Sequence, residues 1–211
     1  MKHVATAAVL VLLASVTAAP AAITGVAGGT GAPAATLGGY TMTAFPADGL
    51  DDFTDITSLP SPLGGTLGFG TEVQTYTAND SWATWSHSYT GDIYYSNGAY
   101  TLTLTLPDNT GTFYFYAETD IRSVYSISAA AQDGTPISQD VDGNGGAAYF
   151  GFYGTDGSLV TSITITTPID SGGFAVGEFG IAAAGAPAVP APGAILLGTS
   201  LVGWLRRRRA V

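Results

Sequence analysis

The 211-residue chain contains no cysteine, which excludes a disulfide framework, a zinc ribbon and a thiol nucleophile. Histidine is scarce, with only His3 and His87, too few to build a His-rich zinc site. A Ser-His-Asp arrangement in the body of the chain would have to use His87, and no Gly-x-Ser-x-Gly elbow accompanies it. Its surroundings, Trp82-Ala83-Thr84-Trp85-Ser86-His87-Ser88-Tyr89, read as a strand carrying an ordinary histidine. Cations are few: six Lys and Arg stand against 16 Asp and Glu. Five of the six, Lys2 and Arg206 to Arg209, sit at the extremities, so residues 23–188 hold all 16 acids against Arg122 alone, a net charge of −15. Such a body repels nucleic acid, which is held by Lys and Arg neutralising phosphates. It disfavours anionic lipid and attracts divalent cations. Ion pairs cannot organise this fold, so burial of apolar and aromatic side chains must.

The two ends differ from the body. Lys2 and His3 precede an apolar run from Val4 to Val16 and a small-residue stretch from Thr17 to Ala22. That pattern predicts a secretory signal peptide over residues 1–22, cut by signal peptidase after Ala18 or Ala22. At the other end Val189-Pro190-Ala191-Pro192-Gly193 leads into 12 uncharged residues, Ala194 to Leu205, and then Arg206-Arg207-Arg208-Arg209. As a helix those residues span roughly 18 Å, short of a hydrocarbon core of ~30 Å. Pro190 and Pro192 prevent backward extension of the helix. The arginines favour the cytoplasmic side, with Trp204 near the interface.

Val189, Pro190, Pro192 and Gly193, the short helix and Arg206 to Arg209 together resemble the sorting signal of the PEP-CTERM proteins, bacterial exported proteins handled by an exosortase. The resemblance covers about 21 residues, 189–209, and Ala191 stands where the family motif has Glu. It implies an exosortase-type processing enzyme as partner and transient inner-membrane anchoring through the C-terminal helix. It also implies a final place at the cell surface or outside, associated with exopolysaccharide or biofilm matrix.

Between the ends the composition divides residues 23–39, a Gly/Ala/Thr/Pro flexible leader, from a domain over 40–181 and a linker over 182–188 before the 189–211 signal. The domain alternates with period two and is punctuated by turns. Leu102, Leu104 and Leu106 share one face of a strand opposite Thr101, Thr103 and Thr105; Pro107-Asp108-Asn109-Thr110-Gly111 reads as a turn, and 112–116 as its hairpin partner. Further strands are expected at 66–77, 82–89, 122–131, 146–153, 158–166 and 173–181, with a weaker one at 40–45. Roughly nine strands at this spacing predict an all-β antiparallel β-sandwich, jelly-roll-like, flanked by the signal helix and the short C-terminal hydrophobic helix.

Candidate chemistry within the domain is sparse. Asp140, Asp142 and Asn144, followed by Gly145, copy the opening half of a calcium loop, but position 12 would be Gly151 rather than Glu. Two readings stand, a surface turn and a weak calcium site; Asp51, Asp52 and Asp55 form a second acidic group. No other cofactor is indicated. Gly143-Asn144-Gly145-Gly146 precedes strand-forming Tyr149, Phe150 and Phe152, not the helix a dinucleotide fingerprint requires. Trp82, Trp85, Tyr94, Tyr114 and Tyr116 suit either a core or an exposed sheet face whose rings stack on sugars. Two functions follow: a non-catalytic surface or matrix protein binding exopolysaccharide through that face, or a secreted glycan-active enzyme using a carboxylate pair.

Overall fold

The computed structural model describes residues 22–185, apart from Asp133 and Thr135. The signal peptide, the sorting residues Val189, Pro190, Pro192, Gly193 and Arg206 to Arg209, and both flanking helices lie outside the described residues. Among the described residues no helix is long and apolar enough to cross a membrane.

The regular structure there is strand, save one 3-10 turn at Ile169–Ser171. In chain order the strands are β1 (Ile23–Gly29), β2 (Thr36–Leu37), β3 (Tyr40–Thr41), β4 (Thr43–Ala44), β5 (Asp55–Pro60), β6 (Thr66–Thr77) and β7 (Asp92–Tyr95). They continue with β8 (Thr101–Thr105), β9 (Thr110–Thr119), β10 (Val124–Ala131), β11 (Ile137–Asp142), β12 (Ala148–Gly154), β13 (Ser162–Thr166) and β14 (Phe174–Ala183). Ten of them form one antiparallel path, β1-β12-β9-β14-β7-β6-β8-β13-β10-β11, with β4 added on β14 and β5 on β6.

Strand β6 turns the corner. Its C-terminal half, Gln74 to Thr77, pairs with β7, while Gly68 and Phe69 near its start pair with β8. The sheet thereby folds over into two layers facing one core. Alternation aims Phe113 and Phe115 of β9, Phe150 and Phe152 of β12, and Val176 and Ile181 of β14 inward from one layer. From the other come Leu102 and Leu104 of β8, Ile163 and Ile165 of β13, and Ile127 of β10. All of these are essentially fully buried, each contributing about 1.5–3 kcal/mol of apolar transfer relative to exposure.

The ends of the path nearly close. Gln139 of β11 accepts from the Gly29 amide at 3.2 Å through Oε1 and donates from Nε2 to the Tyr149 carbonyl at 2.6 Å. One side chain thus stands where a missing ladder would be, covering an edge that would otherwise invite pairing.

Several expectations change. Segment 23–39 is not a free leader: β1 pairs with β12 from Ile23↔Gly154 to Gly29↔Tyr149. Its poverty in side chains is what allows this, because a Cβ on Gly25 would lie 2.7 Å from Ile137 and one on Gly28 2.7 Å from Tyr149. Strands β8 and β9 are consecutive but do not form a hairpin; β8 pairs with β6 and β13, β9 with β12 and β14. Their leucines and phenylalanines do share a core, from opposite layers. The run 82–89 is a loop, and β1, β5, β7 and β11 are strands the pattern did not reveal. Ala182 and Ala183, assigned to the linker, complete β14.

Candidate functional site

The side of the first layer that faces away from the core carries Tyr114, Tyr116 and Glu118 from β9, Tyr149 from β12, Tyr95 from β7 and Tyr76 from β6. It is the aromatic face that alternation predicts, but the chain itself covers most of it. Leu37, Trp82 and Trp85 pack onto it from the segments before β3 and after β6. Trp82 is 8% exposed, Trp85 6%, Tyr114 4% and Tyr116 0%, so these rings form no open platform. Tyr94 points the other way, into the core, where it stacks on Phe179 at 5.7 Å and 11°.

The covering loop is pinned by polar contacts. His87 Nε2 lies 2.7 Å from Glu178 Oε1, the Trp85 indole donates to Glu178 Oε2 at 3.3 Å, and His87 Nδ1 lies 3.3 Å from the Thr30 carbonyl. The Tyr116 hydroxyl donates to the Gly31 carbonyl at 2.5 Å. Glu178 sits in a bulge of β14 between Gly177 and Gly180 and, like His87 and Ser88, has positive φ. Burial raises the Glu178 carboxyl above its ordinary range, against the His87 and Trp85 contacts, which pull it down. This cluster is a clasp that holds the loop; its histidine is not in a strand.

At one end of the covered face a cavity of about 310 Å³ remains, lined by Tyr76, Ser81, Trp82, Thr84, Tyr95, Glu118, Asp120 and Arg122 among others. Its aromatic side is a trio: Tyr76 meets Trp82 at 5.6 Å and 80°, and Tyr95 meets Trp82 at 5.5 Å and Tyr76 at 6.1 Å. Phe53, 59% exposed, extends the trio outward, edge-on to Tyr76 at 5.0 Å. It holds φ at +66°, a left-handed backbone that a bulky residue rarely adopts.

The polar side centres on Glu118, 0% exposed. The Thr84 hydroxyl lies 2.5 Å from Glu118 Oε1 and 3.1 Å from the Gly143 carbonyl. Oε2 is buried with no hydrogen-bond partner, a state that costs about 1–3 kcal/mol for a neutral group and more for a charged one. Burial pushes this carboxyl up to about 7, with Asp142 adding to the rise and Thr84, Trp82 and Arg122 opposing it. Asp120 is raised too, by burial, against Arg122.

Sequence reasoning singled out Trp82 here but missed Glu118, Tyr76 and Phe53. Period two on β9 carries Tyr114, Tyr116 and Glu118 on one face, so a carboxyl following two tyrosines in register was the available signal.

The calcium candidates are placed differently. Asp140 and Asp142 are exposed at the end of β11. Asp142 Oδ1 accepts from the Asn144 amide at 2.9 Å, and Asn144 Nδ2 donates to the Arg122 carbonyl at 2.9 Å. The segment is therefore a self-satisfied turn. Among the described residues no three or more His, Asp or Glu side chains are grouped to hold a metal. In the Asp51–Asp55 group, Asp52 accepts from Thr77 and Asp55 from Gln74.

The chain matches no family model and no curated protein. Among solved structures it is similar to the C-terminal CBM6 of LamC, a marine laminarinase from Zobellia galactanivorans, at 14% identity over 64% of this chain and 98% of that one. The TM-score is 0.12, and a likeness of that size carries no argument about fold or ligand.

Proposed function

We propose that this chain is an exported, non-catalytic cell-surface or extracellular-matrix protein that binds exopolysaccharide on a jelly-roll-like scaffold, the sugar entering the cavity beside Glu118. Signal peptidase and an exosortase-type enzyme process its ends, and the C-terminal helix anchors it only in transit. The observation that carries the binding reading is the cavity: three packed aromatic rings on one side, hydroxyls and carboxyls on the other, and the exposed Phe53 beside it. That pairing of apolar ring faces with polar edges suits a sugar, which has one of each. Glycan-array binding by the protein recovered from its host's surface tests this, with Phe53→Ala as the control that removes an exposed ring and little stability. Binding that Phe53→Ala weakens supports the reading; an array silent for the intact protein refutes it. Intact-mass measurement of the same material tests the processing at both ends.

A second reading, a glycan-cleaving enzyme, is favoured by one observation: Glu118 and Asp120 line the same cavity and burial raises both. Release of product from a bound glycan, lost in Glu118→Gln, would establish that reading in place of the first.

A further inference from the structure

The contacts around Glu118 favour one protonation state over the other. A threonine hydroxyl has a single proton, and the Gly143 carbonyl, 3.1 Å from Thr84 Oγ1, can only accept it. An ionised Glu118 and Gly143 therefore compete for that one proton, whereas a protonated carboxyl donating to Thr84 Oγ1 across the 2.5 Å contact lets both contacts be hydrogen bonds. Glu118 is then an acid donating to Thr84, and Oε2 is its carbonyl oxygen, an acceptor without a donor.

An ionised alternative would bury a full charge with one oxygen unpartnered and no salt bridge to it. Arg122 lines the same cavity, but the ion pair found among the described residues is His87–Glu178. The charged groups facing Glu118 are Arg122, Asp120 and Asp142: the first two line the cavity with it, while Asp142 acts from the end of β11. The neighbours of Glu118 across the sheet, Ala175 of β14 and the alanine-lined end of β12, bring no charge. With Glu118 neutral, Asp120 and Arg122 cancel within the cavity. The site carries no net charge although the domain around it is strongly anionic.

Resting on the glycan reading above, we propose that this cavity is a subsite for an uncharged sugar, in which Glu118 is carried as the carboxylic acid and takes a hydroxyl hydrogen bond on Oε2. An ionised Glu118 would instead make the cavity anionic and suited to an ammonium-bearing amino sugar, the three rings then acting as a cation cage. The hydrogen-bond count around Thr84 favours the first.

The test uses the intact exported protein with neutral hexasaccharides (maltohexaose, cellohexaose) and the chitosan hexamer as probes, alongside the Glu118 side-chain carboxyl carbon followed by NMR against pH. The carboxyl should titrate near neutrality. A neutral hexamer should bind at pH 5.5 and weaken about 30-fold by pH 8.5, because only the protonated fraction, set by a value of about 7, is competent. Glu118→Gln, whose amide donates to Thr84 and whose oxygen accepts from the sugar, should bind at both pH values without that loss. A carboxyl titrating below about pH 5, abolished binding in Glu118→Gln, or preference for the chitosan hexamer at pH 5.5 would each overturn the inference while leaving the glycan reading standing. If no hexamer and no array glycan binds, the glycan reading and the sugar assignment fall together, and the NMR titration alone decides whether Glu118 is neutral.

Discussion

Replacing Glu118 by Gln should remove the pH dependence that this one side chain imposes on stability. Its carboxyl is held at about 7 in the fold against 4.5 in the unfolded chain. Between those values the folded state binds the proton more tightly, so the contribution is fully present below about pH 4.5 and is lost as pH rises through about 7. The difference corresponds to roughly 3 kcal/mol at ~1.4 kcal/mol per pH unit. Gln keeps the neutral shape and the donor to Thr84 but has no proton to lose. The variant should therefore match the parent near pH 4.5 and exceed it at pH 8 by up to about 3 kcal/mol. For a domain of this size that is roughly 6–12 °C in Tm at ~2–4 °C per kcal/mol. Differential scanning calorimetry at pH 4.5, 6, 7 and 8 reads this directly. Parallel Tm profiles for the two proteins, or a variant less stable than its parent at pH 8, would refute the reasoning, because either requires an ionised Glu118 in the native state.

The other predictions concern the cover, the seam and the turn. His87→Ala removes a hydrogen-bond partner of Glu178 in a half-buried bulge and should cost about 1–2 kcal/mol, read as a lower denaturation midpoint, while His87→Gln, which can still donate to Glu178, should recover part of it. Gly25→Val forces a side chain against Ile137, 2.7 Å from the new Cβ; it should destabilise by about 1–3 kcal/mol and raise hydrogen exchange at the β1 amides before the rest of the domain. Phe53→Gly removes a largely exposed ring and relieves a left-handed backbone, so the Tm should hold or rise by a few degrees while saccharide affinity falls. Millimolar calcium should leave the Tm within about 2 °C of its chelator value, since Asn144 and Asp142 already satisfy each other; a larger rise would restore the loop of Asp140, Asp142 and Asn144 as a cation site.

The strand alternation of β8, β9, β12 and β13 was plain in the sequence because each presents branched or aromatic residues at every second position. What alternation cannot say is which layer a strand joins. β8 and β9 each have one apolar face, and both a hairpin and two opposed layers bury it; the pairing was decided by β6, β13, β12 and β14, far away in sequence. Strand β1 was hidden for the opposite reason. Its glycines and alanines carry no periodic signal, and its stability comes from backbone ladders to β12 and from the close approach that small residues permit. The aromatic face was legible as Tyr114 and Tyr116 opposite Phe113 and Phe115, but not its cover. Trp82 and Trp85 looked like strand residues, whereas they are the apolar anchors of a loop whose turns run through positive φ at Asn79, His87 and Ser88. Among 16 acids, only its place in register after Tyr114 and Tyr116 marked Glu118, and its burial at the cavity wall is decided by the fold.

Mapping amide and side-chain chemical shifts of the domain during titration with the best-binding oligosaccharide tests the central claim most directly. The account predicts that the largest changes fall on Phe53, Tyr76, Trp82, Thr84, Tyr95 and Glu118, with the His87–Glu178 clasp unmoved. Changes centred on another surface, or binding that leaves the Glu118 resonances untouched, would contradict it.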